Sequence, residues 1–420
     1  MQTSSPSESS SRWRAPLVAL QHRDFLLLWL GSFVSTVGSQ MRLVAVNLQI
    51  YQVANASGTI NPALALGLVG LMRVIPIVLF SLFSGLVADR VDRRTILIVT
   101  SLAALVGSVV LAWTSMVEEP SLPLIYAMII MVAVAGAFEM PARQSIVPNL
   151  VPAGHLSNAL SLNIITMQLA TVLGPSLAGL LIAVGGVQTV YWIDAASFLA
   201  VIAAAWMIRT RMARMAAPPV SFKAAFEGLK FVFQRPLLSA TMLLDFFATF
   251  FGAAMTLLPL FADQVLHVGE VQLGILYAAP SAGAVLAAAA LTTIRIKRQG
   301  VVLLWAVAIF GLCTAVFGIS RSFPLTLLAL FGTGVADTIS MVIRQVIRQL
   351  RTPDELRGRM TAVGMIFFAG GPQLGEFESG VVASLMGGPF TVLVGGILCM
   401  IMVGITAWRV PQLRAYHGEE

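Results

Sequence analysis

Residues 85–94 read GLVADRVDRR, a charged turn between two long apolar runs at about 63–87 and 95–113. A membrane-crossing helix needs roughly 20 consecutive apolar residues. Both runs are about that long, so the turn predicts two spans joined by a short polar connection at the membrane surface.

The same alternation of apolar runs and polar turns continues along the 420 residues. Hydrophobic residues make up 58% of the chain and charged residues 11%, against about 25% charged in soluble proteins. This composition excludes an ordinary soluble enzyme and predicts an all-α membrane protein. Twelve spans are predicted, at about 25–50, 63–87, 95–113, 122–138, 157–184, 187–208, 237–262, 270–294, 300–319, 323–343, 360–385 and 388–408.

The longest polar stretch inside the chain, 209–236, divides these spans six and six. Its sequence SFKAAFEGLKFVF places apolar residues at helical spacing, which predicts an amphipathic helix lying on the membrane. The predicted organisation is therefore a tail, a six-helix bundle, a linker, a second six-helix bundle and a second tail. Their ranges are 1–24, 25–208, 209–236, 237–408 and 409–420.

The two halves also resemble each other. ARQSIVPNLVPAGHL after the fourth span is similar to IRQVIRQLRTPDEL after the tenth, and TVLGPSLAG in the fifth is similar to FAGGPQLGE in the eleventh. Chance similarity between apolar segments is the alternative, but two matches in the same order favour duplication. A duplicated bundle predicts a pseudo-twofold transporter whose pathway lies between the halves.

The distribution of Arg and Lys predicts the orientation. Nearly all of them fall in the tails, the linker and the turns on the side of the amino terminus, whereas the opposite turns hold only Arg321. Translocation disfavours Lys and Arg, so both termini are expected to be cytoplasmic in a multi-pass inner-membrane protein. The net charge of +7 then forms a belt facing anionic lipid, and no nucleic-acid partner is expected.

The Gly-x-x-x-Asp-Arg-x-x-Arg-Arg pattern of 85–94 resembles the signature turn of the major facilitator superfamily. FLLLWLGSFVSTVGSQ, GLMRVIPIVLFSLFSGLVADR, MPARQSIVPNLVP and QLGEFESG resemble the branch that contains the enterobactin exporter and macrolide efflux proteins. One departure is Asp92, which stands where that turn commonly has Gly.

The resemblance implies a cytoplasmic latch that is closed in one state and open in the other. Asp89 is expected to meet the start of the eleventh span near Arg357, and Arg93 or Arg94 to pair with Glu139. The alternative is a basic turn that only fixes topology. The residues of this predicted latch are Gly85, Asp89, Arg90, Arg93, Arg94, Glu139 and Arg357.

Ionisable residues inside spans are rare and suggest function. Arg73 lies deep in the second span, and we expect it to contact Glu376 or Glu378 of the eleventh, because the resemblance places those helices side by side. Permanently paired ions that fix helix packing are the alternative. Glu376 is the first candidate for a proton carrier, with Asp245 and Asp337 next. Arg42 is a candidate ligand for an anionic substrate. Asp194 lies beside Tyr191 and Trp192 and is expected to be at the membrane interface.

The fifth span carries Gly174, Pro175 and Gly179, which resemble the antiporter motif of the superfamily's exporters. Ala170 replaces one expected Gly. The segment favours export over import, and close helix packing by small residues is the alternative explanation.

Several absences narrow the prediction. The four His residues fall outside the spans, so neither haem nor a metal site is expected. The sequence has no Gly-rich phosphate loop, so ATP hydrolysis is not expected either. No cofactor is predicted. A membrane enzyme is a remote alternative, because no partnered nucleophile accompanies the charged turns.

The sequence thus predicts a non-enzymatic, proton-coupled exporter of amphipathic small molecules, acting as a monomer in lipid. A dedicated exporter of catecholate siderophores is the alternative. The resemblance implies a cavity lined by the first, fourth, seventh and tenth spans. Four aromatic residues of the seventh span suit a flat, partly apolar ligand, although they cannot all face one cavity; they are Phe246, Phe247, Phe250 and Phe251.

Overall fold

The computed structural model describes residues 17–210, 230–294, 296–352 and 357–418; the side chains of 81–86, 88–90 and 357–369 lie outside this description. Most of the predicted linker helix and the polar amino-terminal tail are outside the described residues as well. The predicted linker and domain boundaries therefore stay predictions.

Long α-helices make up the described chain, and nine of the helical segments within it are long and apolar enough to cross a membrane. The all-α membrane class is confirmed, while the number of twelve spans stays a prediction. The long helices are α1 (Arg23–Ser57), α2 (Pro62–Arg90), α3 (Arg93–Thr114), α4 (Leu122–Leu150), α5 (Leu156–Met207), α6 (Pro236–Phe251), α7 (Glu270–Leu291), α8 (Gln299–Ile319), α9 (Phe323–Arg351), α10 (Arg357–Met386) and α11 (Gly388–Arg409).

The predicted fifth and sixth spans both lie in α5, which is broken at Gly186. Gly186 has φ 74°, a left-handed conformation that Gly adopts without steric cost. From there on, α6 to α11 correspond to the predicted seventh to twelfth spans. Several helices extend beyond their predicted spans: α1 continues to Ser57, α4 to Leu150 and α9 to Arg351.

The predicted seventh span is not one continuous helix. α6 ends at Phe251, and the chain continues through a 3₁₀ turn at Ala254–Leu257, a short helical stretch at Leu258–Leu260 and a π-helix at Phe261–Leu266. Gly252 is a poor helix former and Pro259 lacks an amide N–H, so both residues favour an interruption here. The interruption ends a helix inside the predicted membrane region.

We call the end of the molecule where α1 begins the terminal end, and the end where α1 finishes the distal end. α1 to α5 form the N-half and α6 to α11 the C-half. Hydrogen bonds fasten the terminal end of the N-half: Asp24 accepts from the backbone N–H groups of Arg209 and Thr210, and a ring nitrogen of His22 lies 2.9 Å from one of His155.

The buried apolar side chains show how the two halves meet. Among the described residues, one cluster at the distal end contains side chains of both halves, such as Tyr51 and Leu66 with Leu257 and Tyr277. At the terminal end, one cluster around Phe25 and Ile146 belongs to the N-half alone. Another around Leu303 and Ile347 belongs to the C-half alone. Among the described side chains, the halves therefore share a core at the distal end and have separate cores at the terminal end.

Candidate functional site

Arg73 of α2 and Glu376 of α10 form an ion pair between the two halves, with 3.8 Å between Nη1 and Oε2. The expected contact of Arg73 with Glu376 or Glu378 is confirmed for Glu376. At this distance the pair has no hydrogen bond, and both side chains remain partly exposed, by 23% and 20%. The Glu376 Oε2 atom itself is buried without a hydrogen-bond partner, so the pair lacks the additional strength that a charge-assisted hydrogen bond provides.

Glycine residues allow the same helices to approach each other beside this ion pair. A Cβ added to Gly67 would lie 2.7 Å from the Cα of Gly380. At a second contact, a Cβ added to Gly274 of α7 would lie 2.9 Å from the Cα of Gly179 of α5. Both pairs join the halves at the distal end, so Gly179 of the predicted antiporter segment packs between the halves.

Two hydrogen bonds at the distal end were not anticipated from the sequence. Asn47 donates from Nδ2 to the hydroxyl of Tyr277 at 3.1 Å, and the hydroxyl of Tyr51 donates to Asp263 at 2.5 Å. Each bond joins α1 to the C-half. The polar side chains in VNLQIYQ, near the end of the first span, could have indicated these hydrogen bonds. They are uncharged, whereas the contacts expected within the spans involved only ionisable residues.

Arg42 is held inside the N-half by a buried acid. Its Nη1 lies 2.8 Å from Asp194 Oδ2 and donates to the hydroxyl of Ser108 at 3.0 Å. The side chain of Asp194 is fully buried, so the expectation that it is interfacial was wrong. Its neighbour Tyr191 is also buried and donates to Gln49 instead of marking the membrane surface.

The C-half contains a cluster of one guanidinium and two carboxylates. Arg344 of α9 lies 2.8 Å from Asp245 of α6 and 3.5 Å from Asp337. The side chains of Arg344 and Asp245 are 3% and 7% exposed, whereas that of Asp337 is 45% exposed. Asp337 is therefore the accessible member of the cluster.

Asp337 borders a cavity of about 140 Å³ inside the C-half. Side chains of α8 and α9 and the break after α6 line it, including Thr314, Thr333 and Gly252. A second cavity, of about 560 Å³, lies among α2, α3 and α4, and none of the described residues that line it is charged. The charged cavity is thus the smaller of the two.

The turn between α2 and α3 is described only in part. Asp92 has φ −58° and its side chain accepts from the N–H of Arg94, so it caps α3 without needing the conformation that Gly provides. The side chains of Asp89, Arg90 and Arg357 and the surroundings of Gly85 lie outside the described residues. Their part of the predicted latch stays a prediction.

The remaining latch contacts differ from the expected pairing. Arg93 donates to the backbone carbonyl of Ser145, and Arg94 donates to that of Ile208. Glu139 instead pairs with Arg143, one turn further along α4. The expected pairing of Arg93 or Arg94 with Glu139 was wrong for this arrangement, because a closer partner of Glu139 is available on its own helix.

The other candidates occupy separate places. A Cβ added to Gly174 would lie 3.1 Å from the carbonyl oxygen of Val37, so this part of α5 packs tightly against α1. Pro175 lies in the same buried segment. Glu378 of α10 is half-buried. The four aromatic residues of α6 form two stacked pairs, Phe246 with Phe250 and Phe247 with Phe251.

Comparisons with known proteins place the chain in a family. Residues 14–419 match the family described as Transmembrane secretion effector. The enterobactin exporter EntS of Escherichia coli O157:H7 (strain EC4115 / EHEC) is 25% identical over 421 residues, which cover 94% of this chain and 96% of the relative. EntS of Citrobacter koseri is 26% identical over 408 residues, covering 93% and 94%.

Solved structures of transporters share the fold. A bacterial homologue of the lysosomal transporter Spinster, in an inward-facing and unoccupied conformation, has a TM-score of 0.71 at 14% identity and covers 94% of this chain and 98% of its own. The nucleoside transporter NupG has a TM-score of 0.69 at 14% identity, covering 95% and 100%. The chain belongs to the Transmembrane secretion effector family of the major facilitator superfamily, and it is a multi-pass membrane transporter rather than an enzyme.

Proposed function

We propose that this transporter exports amphipathic small molecules across the inner membrane by proton antiport, acting as a monomer in lipid. The observation that carries the proposal is the asymmetric contact between the halves: they share a buried core and an ion pair at the distal end. At the terminal end each half has its own core within the described residues. Alternating access requires such a contact to form at one end and to separate in the other state.

The distribution of Arg and Lys gives this contact a direction. With the terminal end in the cytoplasm, the closed distal end faces the periplasm, and a substrate enters from the cytoplasm or the inner leaflet. Export then requires the distal core to open. The latch of Gly85, Asp89, Arg90 and Arg357 would close the terminal end in that second state.

Glu376 connects protonation to the distal contact in this proposal. As a carboxylate it attracts Arg73 across the interface, and protonation removes that attraction. A proton from the periplasm would reach Glu376 while the distal end is open and keep the ion pair from re-forming. Release of the proton to the cytoplasm would restore the ion pair as the distal end closes again.

We expect Glu376→Gln to abolish the dependence of transport on a pH gradient, because the amide cannot carry the proton. The measurement is gradient-driven flux in proteoliposomes, with Glu378→Gln as the matched control on the same helix. Flux that still follows the imposed gradient in Glu376→Gln would remove this residue from the coupling mechanism.

Siderophore export is the second candidate, and the names of the enterobactin exporters favour it. Arg42 is neutralised by Asp194, so an anionic catecholate would need another cation in this arrangement. Expression in a host lacking its own efflux and siderophore exporters separates the candidates. Drug tolerance supports the general exporter, catecholate secretion supports the dedicated one, and no change in either rejects both.

A further inference from the structure

The cavity beside Asp337 presents groups that accept hydrogen bonds. The hydroxyl of Thr314 donates its hydrogen to the carbonyl of Phe310 at 2.9 Å, and that of Thr333 donates to the carbonyl of Leu330 at 2.6 Å. Because each hydroxyl already donates its only hydrogen to a carbonyl of its own helix, it can only accept a hydrogen bond from, or coordinate, an occupant of the cavity. A carboxylate likewise only accepts.

The break after α6 adds a further negative contribution. Gly252, which follows the last residue of this 16-residue helix, lines the cavity. The carboxyl end of a helix carries a partial negative charge from its unpaired carbonyl groups. Interrupted helices whose carboxyl ends point into the membrane interior provide cation sites in other transporters.

Asp337 brings a charged group of this cluster to the cavity. The ionisable groups that interact with it are Arg344 and Asp245. Arg344 lies closer to Asp245, at 2.8 Å, and Arg348 also interacts with Asp245 one turn further along α9. Asp337 is held at 3.5 Å and is exposed by 45%, so its charge is available to the cavity.

From these contacts we infer that the cavity is a binding site for a small monovalent cation, either an inorganic ion such as Na⁺ or the ammonium group of an organic amine. The carboxylate of Asp337 supplies the charge, and the Thr314 and Thr333 oxygens are the neutral ligands. At about 140 Å³ the cavity has room for roughly four or five water-sized groups. The inference deepens the proposed function by assigning a second cargo or coupling ion to the C-half.

The experiment measures thermal unfolding of the purified full chain in lipid nanodiscs, followed by Trp fluorescence. NaCl and methylammonium chloride are titrated separately, with N-methylglucamine chloride keeping the ionic strength constant. A ligand that binds only the folded state raises the unfolding midpoint in a saturable way. We expect such a rise with Na⁺ or methylammonium and none with N-methylglucamine. The cation that acts at the lower concentration shows whether the site prefers an inorganic ion or an organic ammonium group.

Three variants test the assignment. Asp337→Asn should lose the response, and Arg344 keeps Asp245 as its partner in that variant. The combined Thr314→Val and Thr333→Val variant should raise the half-saturating concentration at least about tenfold, a loss of roughly 1.4 kcal/mol. Thr338→Val, a buried control on the same helix whose side chain does not line the cavity, should respond like the native chain.

Several outcomes would overturn the site. The unfolding midpoint could show no saturable shift with either cation, or a shift that depends only on pH. The combined Thr314→Val and Thr333→Val variant could also respond like the native chain. This last variant keeps the test valid if Asp337→Asn fails to fold. The assay does not require transport. If cations raise the unfolding midpoint but the protein transports nothing, the proposed function is rejected and the cation site is retained. If the protein transports but cations leave the midpoint unchanged, the cation site is rejected and the proposed function is retained.

Discussion

Single residues show that the intramembrane charges divide into pairs with different exposure. Arg42 and Asp194 are hydrogen-bonded, with side chains 12% and 0% exposed, whereas Arg73 and Glu376 are farther apart and more exposed, at 23% and 20%. Removing one member of a buried pair leaves an uncompensated charge, which typically costs about 3–5 kcal/mol. A buried pair therefore suits a fixed structural role, and an exposed, long pair suits one that separates.

We expect Arg42→Met to destabilise the protein by about 3–5 kcal/mol, since Asp194 would remain buried and charged. The combined Arg42→Met and Asp194→Leu variant should recover most of this loss. Unfolding in a denaturing detergent measures both. The control is Arg143→Met, whose partly exposed pair with Glu139 should contribute about 1 kcal/mol or less.

The outcome would also decide the role of Arg42 in transport. A double variant that is stable and transports normally assigns the pair to helix packing. A double variant that is stable but inactive would contradict this and restore Arg42 as a candidate substrate ligand.

The same residues show what the sequence could predict. Depth along two spans, together with the resemblance that places those helices side by side, was enough to expect a contact of Arg73 with Glu376 or Glu378. Asp194 was misplaced because its aromatic neighbours resemble an interfacial belt, while its true partner lies 152 residues away on α1. Pairing between distant helices depends on their rotation about their own axes, and apolar runs carry little information about that rotation.

At the scale of elements, the helices that join the halves meet through glycine. Gly67 and Gly380 bring the backbones of α2 and α10 together, and Gly179 and Gly274 do so for α5 and α7. Small residues at such contacts permit the close van der Waals packing that holds helices together in membranes. The sequence predicted small-residue packing in the fifth span, whereas the interruption after α6 was missed because FFGAAMTLLPLF is apolar throughout.

We expect Gly67→Val to shift the protein away from the arrangement closed at the distal end. The added side chain would meet Gly380 and destabilise the contact by about 1–3 kcal/mol, the range for overpacked sites. Maleimide labelling of a cysteine placed at Ala383, which is buried in the distal core, should then be faster than in the parent chain. Gly136→Val is the control, since a Cβ there would meet nothing within 4 Å; equal labelling in the two variants would contradict the prediction.

At the scale of the whole molecule, the distal core shared by the halves and the separate cores of the described residues at the terminal end fit one of the two states that the proposed export requires. Asn61 donates to the carbonyl of Ser384 at 3.5 Å across the same interface. A covalent link between these positions should therefore hold the distal end closed. The overall fold was predictable because long apolar runs and a charged turn have few alternatives in a membrane, but the state of the halves depends on contacts between them.

We expect a short bismaleimide to cross-link Asn61→Cys with Ser384→Cys, in a chain whose own Cys313 and Cys399 are replaced by Ser, and to stop transport. The single Asn61→Cys variant, treated in the same way, should transport at its untreated rate. A cross-linked double variant that still transports would show that the distal end need not open.

The distal core also has a thermodynamic consequence. When this end opens, apolar side chains from both halves leave each other and meet water, and exposure of apolar surface raises the heat capacity. The opening equilibrium therefore has an enthalpy that changes with temperature. A van't Hoff plot of the equilibrium constant between the two states should therefore be curved. Warming and cooling need not then act on transport in opposite directions.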